Sequence, residues 1–417
     1  MAIVKAFKAI RPAADLAEKV AALPYDVMNS EEARQMVVGN PYSFLHVDKA
    51  EIDLDPSIDL YDKRVYEKAR DNLYKMVTDG VYIQDEKPCL YIYKQVMNGR
   101  AQIGIVACAS IDDYMNNIIK KHELTRADKE QDRIYHVDYC DANTGPIFLT
   151  YRAKKSINDM VSGVMAAKAP VYDFVSEDGI GHTVWVIEED QTIEAITAEF
   201  AAIDYLYIAD GHHRCASAAR VGKMRREANP GYTGQEEFNF FLCVIFPDED
   251  LYVMDYNRIV KDLNGNDQAA FLAKVAEKFT VTPYDAEGVL KPAKKHTYGM
   301  YLDGKWMLLE AKEGTYNAAD PVEQLDVSIL QNNLLHPILG IGDPRTDKRI
   351  DFVGGIRGLQ ALADRVDSGE MAVAFSMFPT TMDDLMDIAD AGAIMPPKST
   401  WFEPKLRSGI FVHKLSD

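Results

Sequence analysis

The stretch IDYLYIADGHHRCASAARVGKM, residues 203–224, constrains the fold more than any other. Its apolar start, 203–209, reads as a buried strand, and the alanine-rich run over 213–227 reads as a helix. Between them stands Asp210-Gly211-His212-His213-Arg214. A strand that feeds a helix through a tight turn belongs to an α/β protein. The helix start offers unpaired N–H groups and the positive end of the helix dipole. Gly211 lets the backbone approach a ligand closely. Arg214 can grip phosphate oxygens as a fork, and His212 and His213 can add donors. Together these residues read as an anion-binding turn. Asp210 would repel phosphate, so it makes sense if it holds Mg²⁺ or a substrate ammonium. The plainer alternative is that Asp210 caps the helix and the histidines lie on the surface.

The rest of the chain supplies both periods. Strands are expected over 2–10, 44–47, 89–96, 101–110, 147–151, 184–188, 238–246, 251–260 and 371–377. Helices are expected over 15–22, 59–79, 128–139, 191–201, 213–227, 267–278, 322–334, 359–368 and 381–391. Ser30, before two glutamates, is the expected N-cap of a further helix, and Asn98-Gly99 is a strong hairpin signal. The longest apolar run, FNFFLCVIF at 238–246, is far short of the ~20 residues of a membrane helix. The mixture predicts an α/β fold of mixed α+β character. Three parts are expected: an N-terminal α/β segment over 1–100 that packs on the core, a core over 101–264 that carries the turn, and a C-terminal α/β domain over 265–417.

Charge narrows the partners. With 46 basic against 65 acidic residues, the net charge is -19. A duplex binder needs clustered Lys and Arg, and neither a basic stripe nor a helix-turn-helix is present. No nucleic-acid or membrane partner is expected, although a local basic pocket for a small polyanion remains compatible. Cys89, Cys108, Cys140, Cys215 and Cys243 form no C-x-x-C pair and read as reduced, buried thiols of a cytoplasmic protein. The opening MAIVKAFKAIRPAADL lacks a long apolar stretch, so no signal peptide is read there.

Other motifs are informative mainly by their failures. His122-Glu123 begins like H-E-x-x-H, but Arg126 occupies the place of the second histidine. What remains is a loop carboxylate among Lys120, Lys121, Arg126, Lys129 and Arg133. Such a setting suits a general base beside a polyanion, and equally a solvated charged loop. His212 and His213 are adjacent and diverge by roughly 100° on a helix, and neither Ala216 nor Ser217 is a ligand, so zinc is not expected on this helix. Residues 392–399 approach the P-loop spacing, but Pro397 takes the second glycine position and has no N–H. Lys398 and Lys405 can still project from this proline-framed segment. No G-x-G-x-x-G follows an expected strand, and no G-x-S-x-G elbow occurs.

Taken together, the motifs form a family pattern. The set comprises Arg11-Pro12, Pro24-Tyr25-Asp26-Val27, Ser43-Phe44-Leu45-His46-Val47, His122-Glu123 with Thr125, Lys129-Glu130 with Asp132-Arg133, Asn143 with Pro146-Ile147-Phe148, the turn Ala209 to Arg214, and Lys398-Ser399-Thr400 with Pro404-Lys405. It resembles the domain of unknown function 1015 family over nearly the whole length. That family is similar to the ParB/sulfiredoxin-like superfamily, which includes free-serine kinases. The resemblance implies a ParB/serine-kinase-like core with N-terminal and C-terminal additions. It also implies phosphoryl transfer to the hydroxyl of free L-serine, giving O-phosphoserine. Glu123 would be the catalytic base, and Asp210, Gly211, His212, His213 and Arg214 would hold the phosphates, bridged by Mg²⁺. Pyrophosphate is the favoured donor, because a long scaffold without a nucleotide motif can close around a compact molecule; ADP and ATP stay open. Further site candidates are His122, Thr125, Lys129, Arg133, Asn143, Lys398, Ser399, Thr400 and Lys405. Two other readings remain: a ParB-like nucleotide-binding module, and a non-catalytic protein that binds a phosphorylated metabolite.

Overall fold

The computed structural model describes residues 1–416. They fall into two compact units, Met1–Leu251 with the returning segment from Pro404 onward, and Tyr252–Glu403. This division does not follow the expected boundaries at 100 and 264. A cut at 100 would split a hairpin, since Leu90–Met97 pairs with Arg100–Ser110 residue by residue. The turn of that hairpin is Asn98-Gly99, both at positive φ (51° and 79°), as a two-residue loop between twisted strands requires. The last residues return to the first unit, where Ile10 and Val412 exchange backbone hydrogen bonds and His413–Lys414 pairs with Ala142–Asn143.

The first unit holds a nine-stranded mixed sheet. Its strands are β1 (Val4–Lys5), β2 (Leu90–Met97), β3 (Arg100–Ser110), β4 (Ile119–Lys120), β5 (Ile147–Tyr151), β6 (Tyr172–Val175), β7 (Gly181–Ile187), β8 (Leu206–Asp210) and β9 (Phe240–Pro247). Across the sheet they run β4-β8-β5-β9-β3-β2-β7-β6, with β1 on β3. Side chains two apart share one face, so Ile105 and Ala107, Leu149 and Tyr151, and Cys243 and Ile245 enter one core. The helices Lys155–Ala167, Asp190–Ala201 and His212–Ala228 cover that face through Ile157, Ile196, Phe200 and Cys215. At roughly 25 cal/mol per Å² of apolar area, burying each large side chain is worth about 1.5–3 kcal/mol.

A second core holds the N-terminal residues. Val65, Ala69, Leu73 and Met76 recur at helical spacing on Lys63–Thr78 and pack with Phe44 and Val47. Residues 44–47 were expected as a strand; Leu45–Asp48 is instead one helical turn. Ser43 begins it, its Oγ accepting from Leu45 N–H at 3.3 Å. The expected N-cap Ser30 is displaced by Asn29, whose Oδ1 accepts from the N–H groups of Glu31 and Glu32, both at 2.9 Å, while Glu32 returns to Asn29 N–H. Ser30 donates to Glu51 instead, at 2.7 Å.

The second unit is built on a six-stranded antiparallel sheet, in the order Phe279–Pro283, Lys305–Ala311, Thr297–Leu302, Val373–Met377, Tyr256–Val260 and Ile350–Gly354. The helix expected over 322–334 is α-helical only at Asp326–Leu330 and then widens to a π turn at Gln331–Leu335. Asn333 Nδ2 donates to the Ile329 carbonyl at 3.0 Å, competing for the acceptor that an α-helical N–H would use. No described helix is long and apolar enough to cross a membrane.

Candidate functional site

Topology, more than sequence distance, assembles the site. Strand Leu206–Asp210 runs parallel to Ile119–Lys120, with Leu206 level with Ile119 and Tyr207 with Lys120. Parallel neighbours finish at the same sheet edge, so His122-Glu123 emerges beside Gly211-His212. On the other flank Ile147–Tyr151 runs antiparallel to the same strand, with Phe148 opposite Asp210. Its start, Gly145-Pro146, therefore reaches this edge too. Lys405 arrives on the returning segment, anchored by Gln95 Nε2 donating to its carbonyl at 2.9 Å.

The turn is shaped by Gly211, at φ +92°, in the left-handed region that side chains disfavour. A Cβ there would lie 3.1–3.3 Å from the guanidinium atoms of Arg214. Gly211 is the N-cap of helix His212–Ala228, and no side chain caps that helix. Asp210 is therefore not the cap that one reading allowed. Its Oδ1 accepts from Gly211 N–H at 2.8 Å and its Oδ2 from Lys405 Nζ at 3.1 Å. Burial alone would raise the Asp210 carboxyl; Lys405 and Arg214 outweigh it and hold the group well below the usual carboxylate range. Arg214 donates through Nη1 to the Pro146 carbonyl, while its buried Nε has no protein partner.

The two histidines of the turn diverge in role. His213 is partly buried, and its Nε2 accepts from Arg126 N–H at 3.0 Å, which ties the 122–126 loop to the helix. His212 is 6% exposed and turns inward against His122, which is 2% exposed; their ring centroids are 4.5 Å apart, edge to face. His212 Nδ1 lies 3.8 Å from Glu123 Oε2. Burial pulls His122 down to about 4, with Asp210 opposing, and holds His212 well below its ordinary value, with His122 adding to the effect. Both rings are thus neutral at pH 7. Both nitrogens of His122 and Nε2 of His212 have no hydrogen-bond partner.

The cations expected around Glu123 mostly face elsewhere. Lys121 lies over the Tyr114 ring at 4.5 Å and Arg126 pairs with Asp128 at 2.8 Å. Lys129 donates to Tyr61 OH at 3.1 Å, and Thr125 Oγ1 donates to Glu130 at 2.8 Å. Arg133 is buried, paired with Asp132 at 2.8 Å and stacked 4.0 Å from the centre of the Tyr25 ring. It helps to line a polar pocket with Tyr25, Asp48, Thr144, Gly145 and Arg214. Burial raises Asp48, opposed by Ser408, Arg133 and Thr144.

Asn143 also lines this pocket, but its Oδ1 is already used by Leu242 N–H at 3.2 Å and by His413 Nδ1 at 3.0 Å. Lys398, Ser399 and Thr400 belong to the second unit. There Ser399 Oγ donates to the Pro396 carbonyl at 2.6 Å, and Lys398 lies 5.5 Å from the Tyr256 ring centre. Sequence reasoning passed over Tyr25 and Asp48 as site residues. Tyr25 was visible within Pro24-Tyr25-Asp26-Val27, whereas Asp48 was hidden by the reading of its segment as a strand.

Chemically, the edge offers uncapped helix amides, a guanidinium with an unused N–H, a half-exposed carboxylate and two neutral imidazoles. Among solved structures, a free serine kinase variant in complex with AMP aligns over 74% of this chain and 92% of its own, with 13% identity and a TM-score of 0.38. A conserved hypothetical protein from Pyrococcus furiosus aligns over 74% and 94%, with 15% identity and a TM-score of 0.35. SbnI from Staphylococcus aureus, with a C-terminal truncation, aligns over 73% and 85%, with 9% identity and a TM-score of 0.37. No curated protein matches the sequence. A family model does match, over residues 4–328, and by it the chain belongs to the family described as protein of unknown function DUF1015.

Proposed function

We propose that this protein transfers a phosphoryl group from a polyphosphate donor, with pyrophosphate favoured over ADP and ATP, to the hydroxyl of free L-serine. The observation that carries the reading is the uncapped start of helix His212–Ala228, with Glu123 beside it on the same sheet edge. Free helix amides and the unused Nε–H of Arg214 suit a tetrahedral polyanion. The Glu123 side chain is 48% exposed, so a hydroxyl can approach it from solvent.

In the reaction the serine hydroxyl oxygen forms a bond to the terminal phosphorus. The bond from that phosphorus to the bridging oxygen breaks, and its electron pair leaves with orthophosphate. The hydroxyl proton passes to the Glu123 carboxylate. The products from pyrophosphate are O-phosphoserine and orthophosphate. Such transfer depends on positioning and on offsetting charge more than on covalent help from the protein. Arg214 and the turn amides hold the phosphates, and Lys405 keeps Asp210 ionised. Asp210, 30% exposed, is then available to a substrate ammonium or to Mg²⁺. Mg²⁺ prefers oxygen ligands and commonly enters on phosphates with one or two carboxylates. The turn fits that pattern through Asp210 alone. When bound, the ion offsets phosphate charge.

The test is mass-spectrometric detection of O-phosphoserine from L-serine and Mg²⁺ with pyrophosphate, ADP or ATP supplied separately. Turnover with pyrophosphate that is lost in Glu123→Gln and Arg214→Ala is expected. No phosphoserine from any donor would sink the reading. Donor binding without turnover would turn attention to the phosphometabolite-binding alternative.

A further inference from the structure

The parallel pairing of Ile119–Lys120 with Leu206–Asp210 brings His212 beside the adjacent pair His122-Glu123, which lies far from it in sequence. One atom each from His122, Glu123 and His212 lies within 4.8 Å of the other two. This cluster is the one group of its kind found among the described residues. Two of its members are buried imidazoles, and both nitrogens of His122 and Nε2 of His212 lack a protein partner. Buried polar atoms in native proteins are nearly always satisfied, so such a concentration at one point calls for something to satisfy it. A water molecule would serve one or two of these atoms. A metal ion serves a nitrogen from each ring and the carboxylate at once.

We propose that His122, Glu123 and His212 hold a divalent transition-metal ion of the zinc class. Two imidazoles and one carboxylate form a donor set that suits Zn²⁺, Co²⁺, Mn²⁺ or Fe²⁺, whereas Mg²⁺ prefers oxygen. Three protein ligands leave at least one coordination position open, as in metal sites that act on substrate. Ligands about 2.0–2.2 Å from an ion stand roughly 3.3–3.5 Å apart. The His212–Glu123 separation of 3.8 Å is close to that, and Glu123 is the exposed member of the three. The open position would take water or a substrate oxygen. Adjacent His212 and His213 cannot form this site along the helix; the second histidine comes instead from the loop that follows the neighbouring strand. Glu123 cannot ligate such an ion and accept a proton at the same moment, so an occupied metal site and the general-base role of Glu123 exclude one another in any one molecule.

The experiment measures metal on the full-length protein by elemental analysis as purified. It then titrates metal-free protein with Co²⁺, followed by visible absorbance, and with Zn²⁺ in competition. The expected result is one ion per chain, a low-coordinate Co²⁺ spectrum, loss of both in His122→Ala and His212→Ala, and weaker binding in Glu123→Gln. His413→Gln, at a histidine outside the cluster, should keep the full metal complement. Glu123 is largely at the surface, so its variant tests the site even if a buried histidine variant fails to fold. Co²⁺ and Zn²⁺ binding by wild type that is no tighter than by Glu123→Gln, or binding lost equally in His413→Gln, would overturn the proposal. Because the readout is metal bound rather than phosphoserine formed, either reading can fail while the other survives.

Discussion

Among the buried histidines of the first unit, two pairs are treated differently by the fold. His182 is fully enclosed: Nδ1 shares a hydrogen bond with Tyr93 OH at 2.8 Å, Nε2 with Ser176 Oγ at 2.9 Å, and Phe174 stacks on the ring. His413 is likewise engaged at both nitrogens, by Asn143 at 3.0 Å and Glu237 at 2.8 Å. His122 and His212 are nearly as buried, yet three of their four ring nitrogens have no hydrogen-bond partner. The first pair joins elements together. The second pair is carried at a cost, since an unsatisfied buried polar group costs ~1–3 kcal/mol. Groups left unsatisfied at a strand edge, beside an uncapped helix, are the expected signature of the proposed site, where stability is exchanged for function.

The strongest way to sharpen the contrast is activity. Glu123→Gln, beside the unsatisfied pair, should lower phosphoserine formation by about 10²–10⁴-fold, the usual worth of a general base. His413→Gln, in the satisfied pair, should leave kcat close to wild type and reduce only resistance to urea. Steady-state kinetics on both variants decide the matter. Equal losses would mean that the two regions do not differ in function.

Stability should show the reverse order. His182→Ala removes the ring that Tyr93 OH and Ser176 Oγ both engage, and although Ser176 Oγ keeps Asp178, Ile180 and Arg407, the loss at Tyr93 should cost ~1–3 kcal/mol, read from the urea midpoint. In metal-free protein His122→Leu fills a similar volume and leaves no protein group orphaned, so it should cost less than about 1 kcal/mol or stabilise. A His122→Leu variant as fragile as His182→Ala would break the comparison.

Much of this contrast could be read from the chain only after folding. The turn was legible because Gly211 stands where an apolar run meets an alanine-rich one, and local chemistry decides such a junction. Leu206–Asp210 and His212–Ala228 accordingly lie within a few residues of the expected spans. Lys155–Ala167 was missed, although Ile157, Met160, Val161 and Val164 recur at helical spacing there. The partnership of His122 with His212 was not legible. It depends on two strands pairing in parallel, a contact between residues about ninety positions apart that no local period encodes. For the same reason His213, the equal of His212 in sequence, could not be assigned to the loop it anchors.

Acid gives a third comparison. Burial pulls His182 down to about 3, helped by Arg407 and opposed by Asp178. An unfolded histidine titrates near 6.5, so below that pH the unfolded chain binds a proton that the folded one refuses. The stability is therefore present above pH 6.5 and declines as the pH falls towards 3. Between pH 7 and pH 5 the loss from this one ring should be roughly 2 kcal/mol. Urea titrations at the two pH values check it. His182→Gln, neutral throughout, should remove that part of the slope, and an unchanged slope would show that His182 is protonated in the fold.

The smallest effect is expected at Lys129, a site candidate that lies outside both histidine pairs. Its Nζ donates to Tyr61 OH at 3.1 Å on an exposed surface. Exposed polar contacts of this kind seldom contribute more than about 0.5 kcal/mol, so Lys129→Ala should leave the urea midpoint nearly unchanged. Its charge can still matter in another way. A surface lysine near a polyanion site speeds encounter through a field that salt screens within ~10 Å at 0.1 M. If Lys129 steers the donor, Lys129→Ala should raise KM for pyrophosphate at low salt with kcat unchanged, and the difference should vanish as salt is added. A fall in kcat that persists at high salt would instead move Lys129 from the approach to the site into the site itself.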